Sequence, residues 1–275
     1  MLKPEFNPLR ILFYTMIVPA VLLSSACLPG QNSSEQNNSE QNNSEPANTL
    51  TREEADAGWI LLFNGETLDG WRGHGRDGLP DGHWQVDDGN LMKIATADVE
   101  RAEDGQPLRG GDLLYNRPFE NFELSFEWKV SPEGNSGIKY NVSNERASAN
   151  SSEPSYGALG FEYQILDDDH HPDGDPNILT AGLYDLIPPG TNAELNPAGS
   201  WNTGRILYNG NYGAHWLNGE KVLEYELETN MMNRLLQTSK WGDLPDFGNR
   251  RSEGYIVLQD HGDSVWYRNI KLREL

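Results

Sequence analysis

The chain has 275 residues, a formal net charge of −21 at pH 7 and a single cysteine. A charge of this sign argues against nucleic acid and anionic membrane surfaces as partners, because both would repel the protein. One cysteine cannot form a disulfide within the chain, so the folded part must be stabilised by its core alone.

The first 26 residues have the pattern of an export signal. Lys3 and Arg10 are positively charged, the apolar run Ile11–Leu23 is too short for a convincing membrane-spanning helix, and small residues precede Cys27. The segment resembles a bacterial lipoprotein signal, in which that cysteine is lipid-modified. We therefore expect residues 1–26 to be a signal peptide and Cys27 to anchor the exported protein to a bacterial membrane. The alternative is ordinary secretion, with Cys27 an unmodified thiol.

A low-complexity segment follows the cysteine. Residues 31–45 read QNSSEQNNSEQNNSE, a five-residue repeat without an apolar side chain. Such a segment cannot bury a core, so we predict a disordered tether over residues 27–51. The remaining residues, 52–275, are numerous enough to form one domain with its own core.

Short alternating segments separated by Gly, Pro, Asn and Asp run from residue 58 to the end of the chain. Phe122–Val130 is the clearest, with an apolar residue at every second position. Thirteen such segments, separated in places by Asn-Gly and Asp-Gly hairpin pairs, predict an all-β sandwich or jelly roll. The prediction includes a strand at Gly182–Leu186 and a short helix at Met231–Lys240, capped by Asn230 or Thr229.

Two strand-like stretches present polar side chains on one face and at their own end. They read GFEYQILDDDHHPDGD over residues 160–175 and GYIVLQDHGDSVWYRNIKL over residues 254–272. In the first, alternation places Glu162 and Gln164 on one face and apolar residues on the other. In the second, Gln259 and His261 share a face. The pattern fits a sheet with a core below and a wet cleft above, and it suggests sugar binding or acid–base chemistry.

Seven motifs follow one another in the order of a known family. They are LFNGETLDGW (62–71), NSGIKY (135–140), EYQILDD (162–168), GLYDLIPP (182–189), GSWN (199–202), HWLNGEKVLEYE (215–226) and LQDHGDSVWYRNIKLREL (258–275). From about Gly58 onward the chain thus resembles the 3-keto-disaccharide hydrolase domain family. The resemblance implies a concanavalin-like jelly roll of two antiparallel sheets. It also implies a 3-keto-disaccharide or other 3-keto-glycoside as substrate, and no nucleotide cofactor.

The implied reaction explains why ionisable residues are needed. A ketone at sugar carbon 3 acidifies the hydrogen on C2, so a base can remove that proton and the substituent at C1 leaves by β-elimination. Water then adds to give the free 3-keto sugar. Such a site needs a base, an electrophile for the enolate oxygen and a proton donor for the leaving group. It does not need the paired carboxylates of an oxocarbenium-type glycosidase.

We assign these roles to residues of the matching motifs. His261 is the first candidate for the base, since imidazole titrates in a useful range, although it could instead stabilise the turn that follows. Glu162 is the second candidate, and Gln164 joins it as a catalytic residue; both could instead bond neighbouring strands. Arg268, or else Lys139, is the candidate for stabilising the enolate. The predicted substrate-binding residues are Asn135, Lys139, Tyr184, Asp185, Gln259 and Trp201. Core packing is the simpler interpretation of Trp201.

An acidic cluster follows the first of these strands. Residues 167–175 contain five Asp and two His, enough ligands for Ca²⁺ or a transition metal. Asp167 and Asp168, with Asp260 from the second stretch, are the predicted ligands, and a divalent metal there would stabilise the enolate. The cluster matches no strict metal-binding loop, so the alternative is a solvated acidic loop.

Two other classes of function fit the same sequence. A non-catalytic carbohydrate-binding module would need hydrogen bonds and stacking but no positioned base. A structural surface protein would need neither. The jelly roll does not decide between them, because it supports many functions. A positioned base is therefore the feature that separates the enzyme from the lectin-like module.

The substitution Cys27→Ala should release the protein from the membrane fraction without changing its fold, because the tether separates the anchor from the domain. Fractionation of cells that express either form, followed by immunoblotting, measures the release, and circular dichroism checks the fold. Equal membrane retention of the wild type and the variant would contradict the lipoprotein prediction.

Overall fold

The computed structural model describes residues 46–103, 105, 108–144, 157–170, 174–244 and 246–275. The predicted signal peptide, Cys27 and the repeat at 31–45 lie outside these ranges, as do residues 171–173 of the acidic cluster. Within the described ranges, neither helix has the length and apolar character needed to cross a membrane.

Strands make up most of the regular structure in these ranges. They are β1 (Trp59–Leu61), β2 (Trp71–Gly73), β3 (Trp84–Asp87), β4 (Asn90–Lys93), β5 (Leu113–Tyr115), β6 (Phe122–Val130), β7 (Asn135–Val142), β8 (Phe161–Leu166), β9 (Asn202–Asn209), β10 (Tyr212–Leu217), β11 (Glu220–Glu226), β12 (Tyr255–Leu258) and β13 (Val265–Glu274). The α-helices are α1 (Arg52–Asp56) and α2 (Asn230–Thr238). The side chain of Thr229 caps α2 by accepting a hydrogen bond from the Met232 N–H at 3.1 Å. Of the two predicted caps, Asn230 and Thr229, the structure therefore has Thr229.

The strands that the structure describes form two antiparallel sheets. The larger has the order β11-β10-β9-β6-β13-β4-β3, and β1 pairs with β13. The smaller has the order β2-β5-β12-β7-β8. Phe126 of β6 meets Tyr163 of β8 edge to face, with ring centroids 5.2 Å apart, so the core lies between the sheets. The predicted all-β sandwich of two antiparallel sheets, a jelly roll, is confirmed.

Alternation in the smaller sheet separates the core from the polar face. On β8, Phe161, Tyr163 and Ile165 are buried in the core. Because successive side chains point to opposite faces of a strand, Glu162 and Gln164 lie on the face turned away from the larger sheet. This polar face of the smaller sheet carries the candidate site.

One predicted strand is absent and one observed strand gave no sequence signal. Gly182–Leu186 is not a strand, because Ala181 and Asp185 have φ angles of 64° and 61° and the Leu183 N–H donates to the Ile187 carbonyl at 2.9 Å. The segment therefore turns beside β8 instead of extending along it. By contrast, β2 has only three residues, too few for alternation to show.

A histidine is buried in the core. The Nδ1 atom of His215, on β10, lies 3.0 Å from the Ala181 carbonyl, and its Nε2 lies 2.8 Å from the Tyr140 hydroxyl. That hydroxyl is also 2.8 Å from the hydroxyl of Tyr225. Burial lowers the pKa of His215 to about 4, because the charged form cannot be hydrated there. His215 is thus a core residue, away from the polar face of the smaller sheet.

The substitution His215→Gln should change how stability depends on pH. The unfolded chain binds a proton on this histidine below pH 6.5, but the folded protein does so only below about 4. The wild type should therefore lose up to about 3 kcal/mol of stability as pH falls through this window, since the unfolded state binds the proton first. Glutamine lacks this component. Urea denaturation of both proteins across the window measures it, and a pH-independent difference between them would contradict the burial of the imidazole.

Candidate active site

A cavity of about 440 Å³ opens on the polar face of the smaller sheet. Its lining residues are His74, Arg76, Gly111, Asp112, Asn135, Lys139, Gly157, Glu162, Gln164, Tyr184, Lys240, Trp241, Gln259, Asp260 and His261. Strands β7 and β8 and the end of β12 form its floor. Seven of the residues assigned from sequence to catalysis or substrate binding thus lie around one cavity: Asn135, Lys139, Glu162, Gln164, Tyr184, Gln259 and His261.

The pairing of β7 with β8 places the floor residues opposite one another. Lys139 lies across from Glu162, and Gly137 lies across from Gln164. A Cβ atom at Gly137 would overlap the Oε1 atom of Glu162. The glycine therefore leaves the space that the Glu162 carboxylate occupies above the neighbouring strand.

A buried lysine joins two carboxylates at the floor of the cavity. The Lys139 Nζ lies 3.6 Å from Asp112 Oδ2 and 4.0 Å from Glu162 Oε2. Burial disfavours the ammonium, but the two carboxylates outweigh it and raise the pKa of Lys139. Burial also raises the pKa of the Glu162 carboxyl, against the opposing charge of Lys139. The site thus holds a lysine that stays charged and a carboxyl that is a stronger base than an exposed glutamate.

Three buried oxygens at the cavity have no hydrogen-bond partner among the described residues. They are Glu162 Oε1, Gln164 Oε1 and Gln259 Oε1. The amide nitrogen of Gln164 is held, since it donates to Asn135 Oδ1 at 3.2 Å. Buried acceptors are normally paired, so these oxygens suit a ligand that brings several O–H donors. A sugar has that chemistry.

The turn after β8 and the segment after α2 meet at the wall of the cavity. The Lys240 Nζ donates to the Tyr184 hydroxyl at 2.6 Å, and it lies 4.9 Å from the centroid of the Trp241 ring. Asp185, assigned to substrate binding from sequence, is not a lining residue. Its carboxylate accepts the Lys240 N–H at 2.8 Å and so fixes the segment that carries the lysine.

Asp260 anchors the other wall. Its carboxylate accepts the Gly111 N–H at 2.8 Å and lies 3.1 Å from the Nζ of Lys93, which is fully buried. His83 Nδ1 is 3.5 Å from the same carboxylate. The neighbouring His261 is exposed at the rim, and its ring makes no hydrogen bond within the described ranges. Asp260 thus holds the loop, while His261 faces the opening.

The other two predicted metal ligands lie outside the cavity. Asp167 Oδ2 accepts the Glu133 N–H at 2.8 Å and lies 2.8 Å from His170 Nδ1. Asp168 Oδ1 accepts bonds from both the N–H and the hydroxyl of Thr180. No three His, Cys, Asp or Glu side chains in the described ranges are grouped to hold a metal. Because residues 171–173 lie outside those ranges, the metal site stays a prediction.

The structure separates Arg268 and Trp201 from this cavity, which corrects their assignment to it. The Arg268 guanidinium lies over the Trp201 ring, 4.0 Å from its centroid, and its Nε donates to Glu127 Oε2 at 2.7 Å. Both residues line a different cavity of about 450 Å³, together with Lys129. The cause is the position of β13, which lies in the larger sheet and directs Arg268 to that sheet's outer face.

The sequence pattern did not identify several of the residues that line the cavity. Asp112 precedes a strand of only three residues, and Lys240 falls beyond the end of α2. His74 and Arg76 follow the equally short β2 in a glycine-rich stretch. The Gly-Gly-Asp sequence before β5 is a polar strand end, like the two stretches singled out above, but its register with β12 could not be inferred.

Comparisons with known proteins agree with this architecture. A family profile described as the 3-keto-alpha-glucoside-1,2-lyase-like domain matches residues 58–273. A Bacteroides thetaiotaomicron protein named 3-keto-disaccharide hydrolase is 40% identical over 235 residues, which are 79% of this chain and 79% of that protein.

Two crystal structures of predicted glycosyl hydrolases from Parabacteroides distasonis are also similar. The first is 31% identical with a TM-score of 0.70, over 84% of this chain and 100% of that chain. The second is 26% identical with a TM-score of 0.54, over 79% of this chain and 99% of that chain.

The pKa of Glu162 should move in opposite directions when its two charged neighbours are neutralised. Lys139→Met should raise it, because the stabilising positive charge is lost, and Asp112→Asn should lower it, because a repelling negative charge is lost. Carbon-13 NMR titration of protein labelled at glutamate carboxyls, with Glu162→Gln to assign the signal, measures both changes. Movement in the same direction would contradict the described geometry.

Proposed function

The chain belongs to the 3-keto-alpha-glucoside-1,2-lyase-like family, and we propose that it hydrolyses 3-keto-glycosides by elimination and rehydration. The named relative supports an enzyme that acts on sugars. The observation that carries the finer proposal is the buried Lys139 beside Glu162, whose buried Oε1 has no hydrogen-bond partner among the described residues. A base and a cation side by side match the two needs of enolate formation.

Glu162 is the base in this proposal. Burial raises the pKa of its carboxyl, which makes the carboxylate a better acceptor for a carbon-bound proton. Its Oε1 has no hydrogen-bond partner among the described residues, while its Oε2 is the oxygen near Lys139. His261, the first candidate from sequence, stands at the exposed rim, where it suits contact with a hydroxyl of the departing group.

Lys139 stabilises the enolate. Its raised pKa keeps it as an ammonium, which cannot act as a base but donates hydrogen bonds to a developing oxyanion. The ketone oxygen is bonded to C3, next to C2. A substrate whose C2 hydrogen meets Glu162 Oε1 can therefore place its C3 oxygen near Lys139. Arg268 cannot stabilise the enolate in this cavity, because it lies on the larger sheet.

Amide groups bind the sugar hydroxyls. The side-chain oxygens of Gln164 and Gln259, which no group of the described residues bonds, accept hydrogen bonds from sugar hydroxyls, and Asn135 holds the Gln164 amide in place. These contacts orient the ring without taking part in proton transfer. A module that only bound sugar would need these amides but not the buried lysine and carboxylates, which is why the enzyme is favoured over the lectin-like alternative.

The substitution Glu162→Gln should lower kcat by roughly two to four orders of magnitude on 3-keto disaccharides, the usual effect of removing a general base. Substrate binding should weaken much less, since the lost interaction belongs to the transition state. Wild-type turnover in D₂O should place deuterium at C2 of the released 3-keto sugar, and unoxidised disaccharides should not react. Mass spectrometry and NMR of the products measure both.

Two controls make this experiment decisive. Glu224→Gln changes an exposed glutamate on β11, outside the cavity, and should leave kcat unaltered. His261→Ala should lower kcat less than Glu162→Gln does. If the histidine variant instead loses the C2 exchange while the glutamate variant keeps it, His261 is the base. Cleavage of an unoxidised sugar, or product without deuterium, would rule out elimination through the ketone.

A further inference from the structure

The phenol of Tyr184 is oriented by an ammonium group. Lys240 Nζ lies 2.6 Å from the Tyr184 hydroxyl oxygen, and an ammonium can only donate. The phenol oxygen therefore accepts this bond, and its own O–H hydrogen is available to another acceptor. In the ranges that the structure describes, no protein group accepts that hydrogen. Since Tyr184 lines the cavity, a ligand bound there can accept this hydrogen.

The pair is fixed in more than one way. The Tyr184 N–H donates to the Glu162 carbonyl at 3.0 Å, which places the phenol beside the strand that carries the proposed base. Lys240 Nζ lies 4.2 Å from the Tyr184 ring centroid, and the Lys240 N–H is held by the Asp185 carboxylate at 2.8 Å. The ring and the ammonium thus keep their positions without a ligand.

We propose that Tyr184 donates a proton to the departing glycosidic oxygen and that Lys240 is the positioning residue that stabilises the resulting phenolate. The inference rests on the proposed function, because it assigns the one role in that reaction that Glu162 and Lys139 leave open. Lys139 is bound between two carboxylates, and in the part of the chain that the structure describes no group bonds the His261 ring to fix it.

The step balances with groups that the cavity holds. Glu162 takes the C2 proton and the electron pair forms the enolate. When the enolate collapses, the C3 carbonyl and a C1–C2 double bond form, the C1–O bond breaks with its electron pair on the leaving oxygen, and Tyr184 protonates that oxygen. The phenolate next takes a proton from the water that attacks C1, while Glu162, whose carboxyl has exchanged its proton with solvent, returns a proton to C2. Both residues end in their starting states.

The test compares leaving groups in the full-length enzyme. Wild-type and Tyr184→Phe enzymes are assayed on 3-keto-glucosides of alkyl alcohols and of phenols with graded pKa. The variant should lose roughly two to four orders of magnitude in kcat/KM on alkyl leaving groups. It should approach the wild type on a nitrophenyl leaving group, which departs without protonation. Exchange of the C2 hydrogen in D₂O should persist, since Glu162 is intact.

Further variants separate chemistry from structure. Tyr212→Phe removes another phenol that bonds a charged side chain, Glu224, but outside the cavity, and it should leave the leaving-group dependence unchanged. Lys240→Met should make kcat/KM depend more steeply on the pKa of the leaving group. Lys240→Arg should restore part of the shallow dependence of the wild type. These two also test the proposal if Tyr184→Phe does not fold.

The outcomes are distinct. An equal loss on every leaving group, or no loss on any, would overturn the role of Tyr184 while the reaction itself stands. A Tyr184 variant that loses C2 exchange would make this phenol part of the base step instead. A wild-type enzyme that cleaves none of the 3-keto-glycosides would overturn the proposed function and, with it, this inference.

Discussion

The ammonium of Lys139 is buried on the polar face of the smaller sheet, and the site depends on how it is compensated. Asp112 precedes β5, Lys139 lies on β7 and Glu162 lies on β8. The three charges therefore meet only when β5, β12, β7 and β8 are paired in register. Removing one partner would leave an uncompensated buried charge, which in proteins generally costs about 3–5 kcal/mol. Formation of the smaller sheet and formation of the site are thus the same event.

The two faces of the sheet are coupled by the same strands. Tyr140 and Tyr163 lie in the core on β7 and β8, one residue away from Lys139 and Glu162 on the polar face. A shift in register by one residue would exchange the two sets, placing charges in the core. The aromatic packing between the sheets therefore fixes the position of the proposed catalytic side chains on the opposite face.

Sequence reasoning reached the features that depend on local pattern. Alternation located most strands and put Glu162 and Gln164 on the polar face, because side-chain direction in a strand depends only on position. Sequence reasoning failed where the position of a side chain depends on which strands are neighbours in a sheet. Arg268 has the right chemistry but belongs to the other sheet, and Asp112 reaches Lys139 across β12. The prediction of a strand at Gly182–Leu186 was wrong for another reason, since positive φ angles at Ala181, just before the segment, and at Asp185, within it, turn the chain.

Two carboxylates in one sugar-binding cavity would ordinarily suggest an oxocarbenium-type glycosidase, in which one acid protonates the leaving group and the other attacks or activates water. Here both carboxylates share one lysine. The lysine has no role in that mechanism, whereas a developing enolate needs it. The arrangement therefore suits a reaction in which negative charge forms on the sugar ring, as it does when a ketone at C3 acidifies the C2 hydrogen.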